Sequence, residues 1–166
     1  MPEPKKWSWR HADRSELIHA ARTAIAATVS LLIGRLLRLP ESYWAAIATL
    51  IVMQSTLGAA WTVSKQRFAG TVLGAAMGAL LATYLGSNMI VFGAGVFALG
   101  MICAFLRIER AAYRYAGVTL AIVMLVARTA PAWIVAVHRF FEISVGIAVA
   151  LILTAVWPEA QVKGES

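Results

Sequence analysis

The sequence has one cysteine and few charged residues, and each shortage excludes a class of protein. Cys103 has no second cysteine with which to form a disulfide inside the chain, and a cysteine-rich metal site is excluded for the same reason. Only 14% of the 166 residues are charged, whereas soluble domains have about a quarter, and 60% are hydrophobic. A soluble fold of this length could not bury so much apolar surface, so the expected solvent is lipid.

The sequence also lacks the common motifs of enzymes. It contains no G-x-S-x-G, no H-E-x-x-H, no Walker A motif and no C-x-x-C. We therefore predict a protein that is not an enzyme and that has neither a cofactor nor a metal site. The net charge is +7, but the cations are spread along the chain, which favours anionic lipid over nucleic acid as a partner.

Long apolar runs are what the sequence has in quantity. A helix that crosses a bilayer needs about 20 mostly apolar residues. The runs predict an all-α, polytopic membrane protein with six transmembrane helices, over residues 18–38, 43–61, 67–86, 88–106, 115–129 and 138–157. The predicted organisation is a six-helix module over 17–158, with an interfacial N-terminal segment over 1–16 and a polar cytoplasmic tail over 159–166.

The distribution of Lys and Arg predicts how these helices are oriented. With the N-terminus in the cytoplasm, all but four of the 15 Lys and Arg residues fall on the cytoplasmic side. The four exceptions are Arg35, Arg38, Arg128 and Arg139. Because cytoplasmic loops carry the excess of Lys and Arg, both termini are predicted to be cytoplasmic.

Several of the rarer residues recur 72 positions later, which indicates an internal repeat. The matches are Tyr43 with Tyr115, Trp61 with Trp133, Arg67 with Arg139, Phe68 with Phe140, Gly74 with Gly146, Arg35 with Arg107, and Arg38 with Arg110. Three helices per unit would invert the second unit in the membrane, giving the 3+3 inverted repeat that is typical of transporters. The second and fifth predicted helices occupy matching places and have short apolar cores, as expected beside a transport site.

Arg67 and Arg139 are the candidates for contact with a substrate. Each stands near the predicted start of an apolar helix, and the repeat places them on opposite sides of the membrane. Such a residue either extends to the lipid interface as an anchor or faces a cavity, where it would attract anions. The sequence leaves both interpretations open, and the paired placement favours the anion site.

Glu142 is the only acid inside a predicted transmembrane helix. It lies three residues after Arg139 and one helical turn after His138. It either forms a local ion pair that neutralises Arg139 or acts, with His138, as a protonation site for proton-coupled transport.

A row of glycines in the third helix predicts close packing. Gly70, Gly74 and Gly78 share one helix face, and small residues let helix backbones approach closely in lipid.

The predicted second helix has polar or aromatic residues towards both ends. Tyr43 and Trp44 begin it, and they fit either an interfacial aromatic belt or stacking on an aromatic substrate. Gln54 and Ser55 follow its apolar core, and together with Thr56 they either bond to their own helix or line a polar constriction.

A likeness to the membrane module of the fusaric acid resistance (FUSC) family rests mainly on the segment YWAAIATLIVMQSTLGAAWTVSKQRFAGTVLGAAMGALLA. The pieces that resemble the family are YWA at the start of a helix, QS after its apolar core, and the Arg-x-x-Gly-Thr-x-x-Gly element from Arg67 to Gly74. The lead-in LIHAARTAIAATVSLLIG is also similar to the first helix of that family, and the likeness covers most of residues 15–157.

The resemblance implies a six-helix transport module in the bacterial inner membrane, because the family includes bacterial aromatic acid exporters. It also implies kinship with plant aluminium-activated malate transporters, which are dimeric anion channels with basic pore residues. On that analogy Arg67 and Arg139 would contact the anion.

We therefore expect a transporter or channel for organic anions, with aromatic carboxylate efflux as one form, working as a homodimer or with a paired membrane subunit. The alternative is a non-transporting membrane subunit that scaffolds a partner.

Overall fold

The computed structural model describes residues 14–54, 56–126 and 130–157, and these residues form six α-helices. The helices are α1 Arg14–Leu36, α2 Tyr43–Val52, α3 Leu57–Tyr84, α4 Met89–Phe105, α5 Arg110–Leu125 and α6 Ala132–Val156. No strand occurs in the described ranges, so the prediction of an all-α fold is confirmed. Two stretches, Glu16–Leu36 and Ala132–Val156, are both long and apolar enough to cross a bilayer.

The predicted second helix, residues 43–61, is wrong at its C-terminal end. α2 has 10 residues and ends at Val52, so it is about 15 Å long and covers half of a bilayer core about 30 Å thick. Thr56 then caps α3, because its Oγ1 accepts a hydrogen bond from the Ala59 amide at 3.2 Å. The hydroxyl group of Thr56 accepts a hydrogen bond from a backbone amide in the first turn of α3. This cap favours the start of a new helix at Leu57.

The predicted starts of the third and sixth helices, at residues 67 and 138, are also wrong. α3 begins at Leu57 and continues through the polar residues 64–67. This stretch is helical because neighbouring helices bury Arg67. α6 begins at Ala132, directly after Pro131, whose fixed backbone angle suits the start of a helix. Arg67 and Arg139 therefore lie inside helices rather than at their starts.

α1, α2 and α6 pack side by side. The Thr49 Oγ1 of α2 donates to the Gly146 carbonyl of α6 at 3.0 Å, and Met53 contacts Thr154 further along both segments, so α2 and α6 are parallel. Arg22, in the first half of α1, binds carbonyl oxygens just past the ends of α2 and α6. α1 therefore runs antiparallel to both.

α3 is the centre of the other contacts. Phe68 contacts Phe140 with ring centroids 5.3 Å apart, and Ala75 clusters with Ala136, nearer the start of α6. α3 and α6 therefore cross in antiparallel directions, and the crossing lies at the two phenylalanines.

α4 packs against α3 and α5 and runs antiparallel to both. Gly95 lies beside Leu81, near the end of α3, and Gly100 lies beside Tyr113, near the start of α5. The six helices thus alternate in direction along the chain.

The predicted glycine row of α3 faces α5. A Cβ atom added to Gly70 or Gly74 would overlap a backbone carbonyl oxygen of α5, that of Ala116 in the case of Gly74. A Cβ on Gly78 would lie 3.0 Å from the Val123 side chain. Only glycine permits the backbones of α3 and α5 to come this close.

The distribution of side chains is that of a protein surrounded by lipid. Large apolar side chains point outward, with Ile90 85% exposed and Phe105 89% exposed. Four charged side chains among the described residues are buried: Arg22, Arg67, Arg139 and Glu142. Exposing this much apolar surface to water would be unfavourable, whereas lipid tails would solvate it.

Candidate functional site

Three arginines are buried within the described helices, and each is a candidate for function. Arg22 and Arg139 are fully buried, and Arg67 is 5% exposed. A buried charge is unfavourable unless a partner compensates for it, and inside a membrane protein such a charge commonly marks a functional site. The partners of the three arginines differ, and these partners distinguish their roles.

Arg139 is held between two carboxylates. Its Nη2 donates to Glu41 Oε2, and its Nη1 lies 3.3 Å from Glu142 Oε2. The guanidinium also lies over the Trp44 ring, 4.4 Å from the ring centroid. We call these four residues the Arg139 cluster: Glu41, Trp44, Arg139 and Glu142.

Further hydrogen bonds fix the carboxylates of the Arg139 cluster. Trp44 Nε1 donates to Glu41 Oε2 at 3.1 Å, and the backbone amide of Glu41 donates to Glu142 Oε1 at 3.0 Å. The cluster therefore ties α6 to the start of α2, and it neutralises the charge of Arg139. The local ion pair expected between Arg139 and Glu142 is present.

Arg67 has no such compensation. Its guanidinium lies 5.2 Å from the centroid of the Tyr115 ring. In the part of the chain that the structure describes, no carboxylate forms an ion pair with Arg67, and its buried Nε has no hydrogen-bond partner. Arg67 is therefore a buried cation that a bound anion could neutralise.

The surroundings of Arg67 and Arg139 resemble each other. Each arginine directly precedes a phenylalanine of the α3–α6 crossing, Phe68 or Phe140, and each lies over an aromatic ring. Tyr115, the ring near Arg67, belongs to α5, whereas Trp44, the ring near Arg139, belongs to α2. The two arginines thus flank the crossing in similar settings but differ in the carboxylates around them.

Arg22 has a structural role that the sequence did not predict. Its Nη1 donates to the Trp157 carbonyl at 2.7 Å, and its Nη2 donates to the Gln54 carbonyl at 2.6 Å. The C-terminal ends of helices carry a partial negative charge, so a cation there stabilises both α2 and α6. In the sequence, the local sign of this contact is a charged residue, Arg22, one turn after the start of the predicted first helix at residue 18.

Glu41 is the functional candidate that sequence reasoning missed. It lies in the predicted connection between the first two helices, and its carboxylate contacts Arg139, 98 positions away in the sequence. A buried arginine needs a carboxylate partner, and this requirement predicts an acid in a connection near Arg139. No spacing rule identifies which acid that is.

The other predicted site residues are dispersed. Tyr43 is 51% exposed and its ring lies against that of Trp44 at a centroid distance of 5.7 Å. Gln54 lies at the opposite end of α2, where its Nε2 donates to the Ile51 carbonyl at 3.4 Å. His138 is half-buried in α6 beside Arg139. Ser55 lies outside the described residues.

Apolar side chains outside and charged clusters inside define this chain as a helical membrane protein. The chain belongs to the fusaric acid resistance protein-like family, whose model matches residues 26–153. The resemblance inferred from the Arg-x-x-Gly-Thr-x-x-Gly element is thereby confirmed.

Two curated relatives from Escherichia coli K12 are similar over most of this chain. It is 31% identical over 151 residues to "Inner membrane protein YeeA", a match that covers 86% of this chain and 41% of the relative. It is also 31% identical over 148 residues to "Uncharacterized transporter YdhK", a match that covers 84% of this chain and 22% of the relative. The chain thus spans less than half the length of either relative, and no solved structure matches it.

Proposed function

We propose that this chain is the membrane module of a transporter or channel for organic anions, with Arg67 as the main contact for the anion. The proposal rests on one observation: Arg67 is buried without a carboxylate partner in the described part of the chain. A relative named as a transporter supports transport, and another named as an inner membrane protein supports that location.

The chemistry around Arg67 favours a carboxylate with an aromatic body. A guanidinium presents parallel N–H donors that match the two oxygens of a carboxylate. Tyr115, whose ring lies beneath Arg67, could contact a second ring edge to face. An aromatic carboxylate would use both groups at once, whereas an inorganic anion would use only the guanidinium.

Arg139 would contribute differently, because Glu41 and Glu142 already neutralise it. Two carboxylates that share one guanidinium repel each other, and a proton on either one relieves the repulsion. We therefore propose Glu142 as the proton-coupling group, with His138 one turn away on α6 as its proton partner. Protonation would weaken the hold on Arg139 and free it to meet the anion.

A 3+3 inverted repeat is also part of the proposal. Two features support it: α3 with α5 and α6 with α2 form similar pairs, and Phe68 meets its repeat counterpart Phe140 at the α3–α6 crossing. In such a repeat, one half rocks against the other around a shared site. The two arginines beside the crossing would then face the two sides of the membrane in turn.

We also propose that the working assembly contains a second copy of this chain or a paired membrane subunit, as the resemblance to dimeric anion channels implies. Light scattering of the purified chain in detergent measures this directly, and a monomeric mass would contradict the homodimer.

Uptake of benzoate into liposomes that contain the purified full chain tests the anion site. Arg67→Gln should raise the half-saturating benzoate concentration about tenfold or more, because a hydrogen bond to a charged group contributes about 1.5–3 kcal/mol. Lys65→Gln is the matched control, since Lys65 is exposed on the same helix and its loss should leave uptake unchanged. A pH gradient should drive uptake in the wild type but not in Glu142→Gln.

Each result of the uptake assay bears on a separate part of the proposal. Equal uptake by wild type and Arg67→Gln would contradict the role of Arg67. Uptake that follows voltage and ignores the pH gradient would contradict proton coupling and indicate a channel. Liposomes with no uptake above the protein-free background would favour the scaffolding subunit instead.

A further inference from the structure

A cavity between the end of α4 and the start of α5 has the properties of an amphiphile site. It has a volume of about 450 Å³ and is lined by Phe97, Met101, Cys103, Arg107, Arg110 and Tyr113 among others. The side of the cavity that α4 forms is apolar. Arg107 lies just after the end of α4, and Arg110 is the first residue of α5. The cavity therefore joins a lipid-like wall to a pair of positive charges.

The two arginines of this cavity are available for an anion. Within the described ranges neither Arg107 nor Arg110 has an ion pair or a hydrogen bond from its side chain. The nearest acid in sequence, Glu109, forms no ion pair with either arginine, and its carboxylate accepts a hydrogen bond from the Gln66 side chain of α3. Neither guanidinium of the cavity is thus ion-paired within the described ranges.

The backbone of Arg107 has a left-handed conformation just past the end of α4. Its φ is +53°, a left-handed conformation that normally favours glycine. The Ile108 amide donates to the Cys103 carbonyl at 2.8 Å, which closes the end of α4 around this residue. Arg107 therefore occupies the position after α4 at which glycine would be unstrained.

The same construction occurs at the end of α1. Arg38 has a φ of +54°, and the Leu39 amide donates to the Gly34 carbonyl at 3.0 Å. A second cavity, of about 400 Å³, lies there beside Arg35, Arg38 and Tyr43. Both cavities therefore adjoin a connection between two helices, α1–α2 in one case and α4–α5 in the other.

We propose that the α4–α5 cavity binds the phosphate of an anionic phospholipid, with Arg107 and Arg110 as its contacts. A free phosphate offers the same charge, but the α4 wall favours the lipid. Phe97 and Met101 are 71% and 58% exposed on the outer face of α4, so an acyl chain can lie along them while the phosphate reaches the arginines. The site is separate from Arg67 and does not depend on transport.

Binding of acyl-labelled phosphatidylglycerol and phosphatidylcholine to the detergent-solubilised full chain, measured by fluorescence anisotropy, tests the site. Wild type should bind phosphatidylglycerol more tightly, and each of Arg107→Gln and Arg110→Gln should weaken that binding about fivefold. Arg114→Gln is the matched control, because Arg114 is exposed on α5 one turn further and does not line the cavity. Equal binding of the two lipids would overturn the proposal.

Two further measurements distinguish a lipid site from a site for free anions and from a loss of folding. Arg107→Gly removes the guanidinium and relieves the left-handed strain, so it should fold at least as stably as wild type and still lose the preference for phosphatidylglycerol. A preference that survives in this variant would overturn the role of Arg107. Inorganic phosphate should fail to displace the labelled lipid, and displacement at low millimolar phosphate would show a free-anion site instead.

Discussion

At the scale of single residues, the contrast between Arg67 and Arg139 carries most of the functional meaning. The sequence predicts both as candidates because they recur 72 positions apart. It cannot predict that Glu41 reaches Arg139 and that no described carboxylate reaches Arg67, because these contacts join distant parts of the chain. The pairing of charges is therefore the part of the site that only the three-dimensional structure supplies.

The Arg139 cluster gives a prediction about stability. Arg139→Gln should lower the free energy of unfolding by about 3 kcal/mol, because it leaves the buried Glu142 and the half-buried Glu41 near each other without their shared cation. Adding Glu142→Gln removes one of the two negative charges, so the double variant should be more stable than Arg139→Gln alone. A double-mutant cycle, followed by unfolding in mixed micelles, measures the difference.

The outcome that would contradict the charge pairing is additivity. If the two substitutions sum to the effect of the double variant, then Arg139 and Glu142 do not interact in the folded protein. Arg114→Gln, at an exposed site on α5, serves as the control for loss of a positive charge.

At the scale of helices, the apolar runs predict the number of helices but not all of their limits. α2 ends at Val52, shortly before the polar residues Gln54 and Thr56, and Thr56 caps a new helix that the sequence pattern joins to the second. α3 continues through the stretch SKQR, which reads as a loop, because neighbouring helices bury Ser64 and Arg67. Local pattern cannot distinguish a polar loop from a helix whose polar residues find partners in the fold.

The contact between α3 and α5 gives a prediction at this scale. Gly74→Ala should destabilise the protein by about 1–3 kcal/mol, because its Cβ would overlap the Ala116 carbonyl oxygen and force the two helices apart. Gly117→Ala is the matched control on α5, since nothing lies within 4 Å of a Cβ there, and better helix propensity should stabilise it by up to about 1 kcal/mol. Thermal unfolding in detergent compares the two variants.

Equal destabilisation by both alanines would contradict close packing at Gly74, because it would indicate a general intolerance of substitution. A destabilised Gly74→Ala beside an unchanged Gly117→Ala would assign the effect to the α3–α5 contact alone.

At the scale of the whole molecule, orientation in the membrane is what sequence and structure predict together. The alternating helix directions put the α3–α4 connection and the α4–α5 connection at opposite ends of the bundle. The excess of Lys and Arg predicts that the first of these is periplasmic and the second cytoplasmic. Replacing the native cysteine by Cys103→Ser and adding one exposed cysteine, by Ser87→Cys or by Glu109→Cys, makes each end separately detectable.

A membrane-impermeant maleimide should label the Ser87→Cys variant in intact spheroplasts and the Glu109→Cys variant only after permeabilisation. Ala94→Cys is a control that distinguishes exposure to lipid from exposure to water. Ala94 is exposed on α4 but should face lipid, so this variant should stay unlabelled in both conditions. Labelling of both connections from the same side would contradict the alternating arrangement and, with it, the inverted repeat. If Glu109→Cys is labelled in intact spheroplasts and Ser87→Cys only after permeabilisation, the helices still alternate in direction but the termini lie in the periplasm. The order of Arg67 and Arg139 relative to the cytoplasm is then reversed.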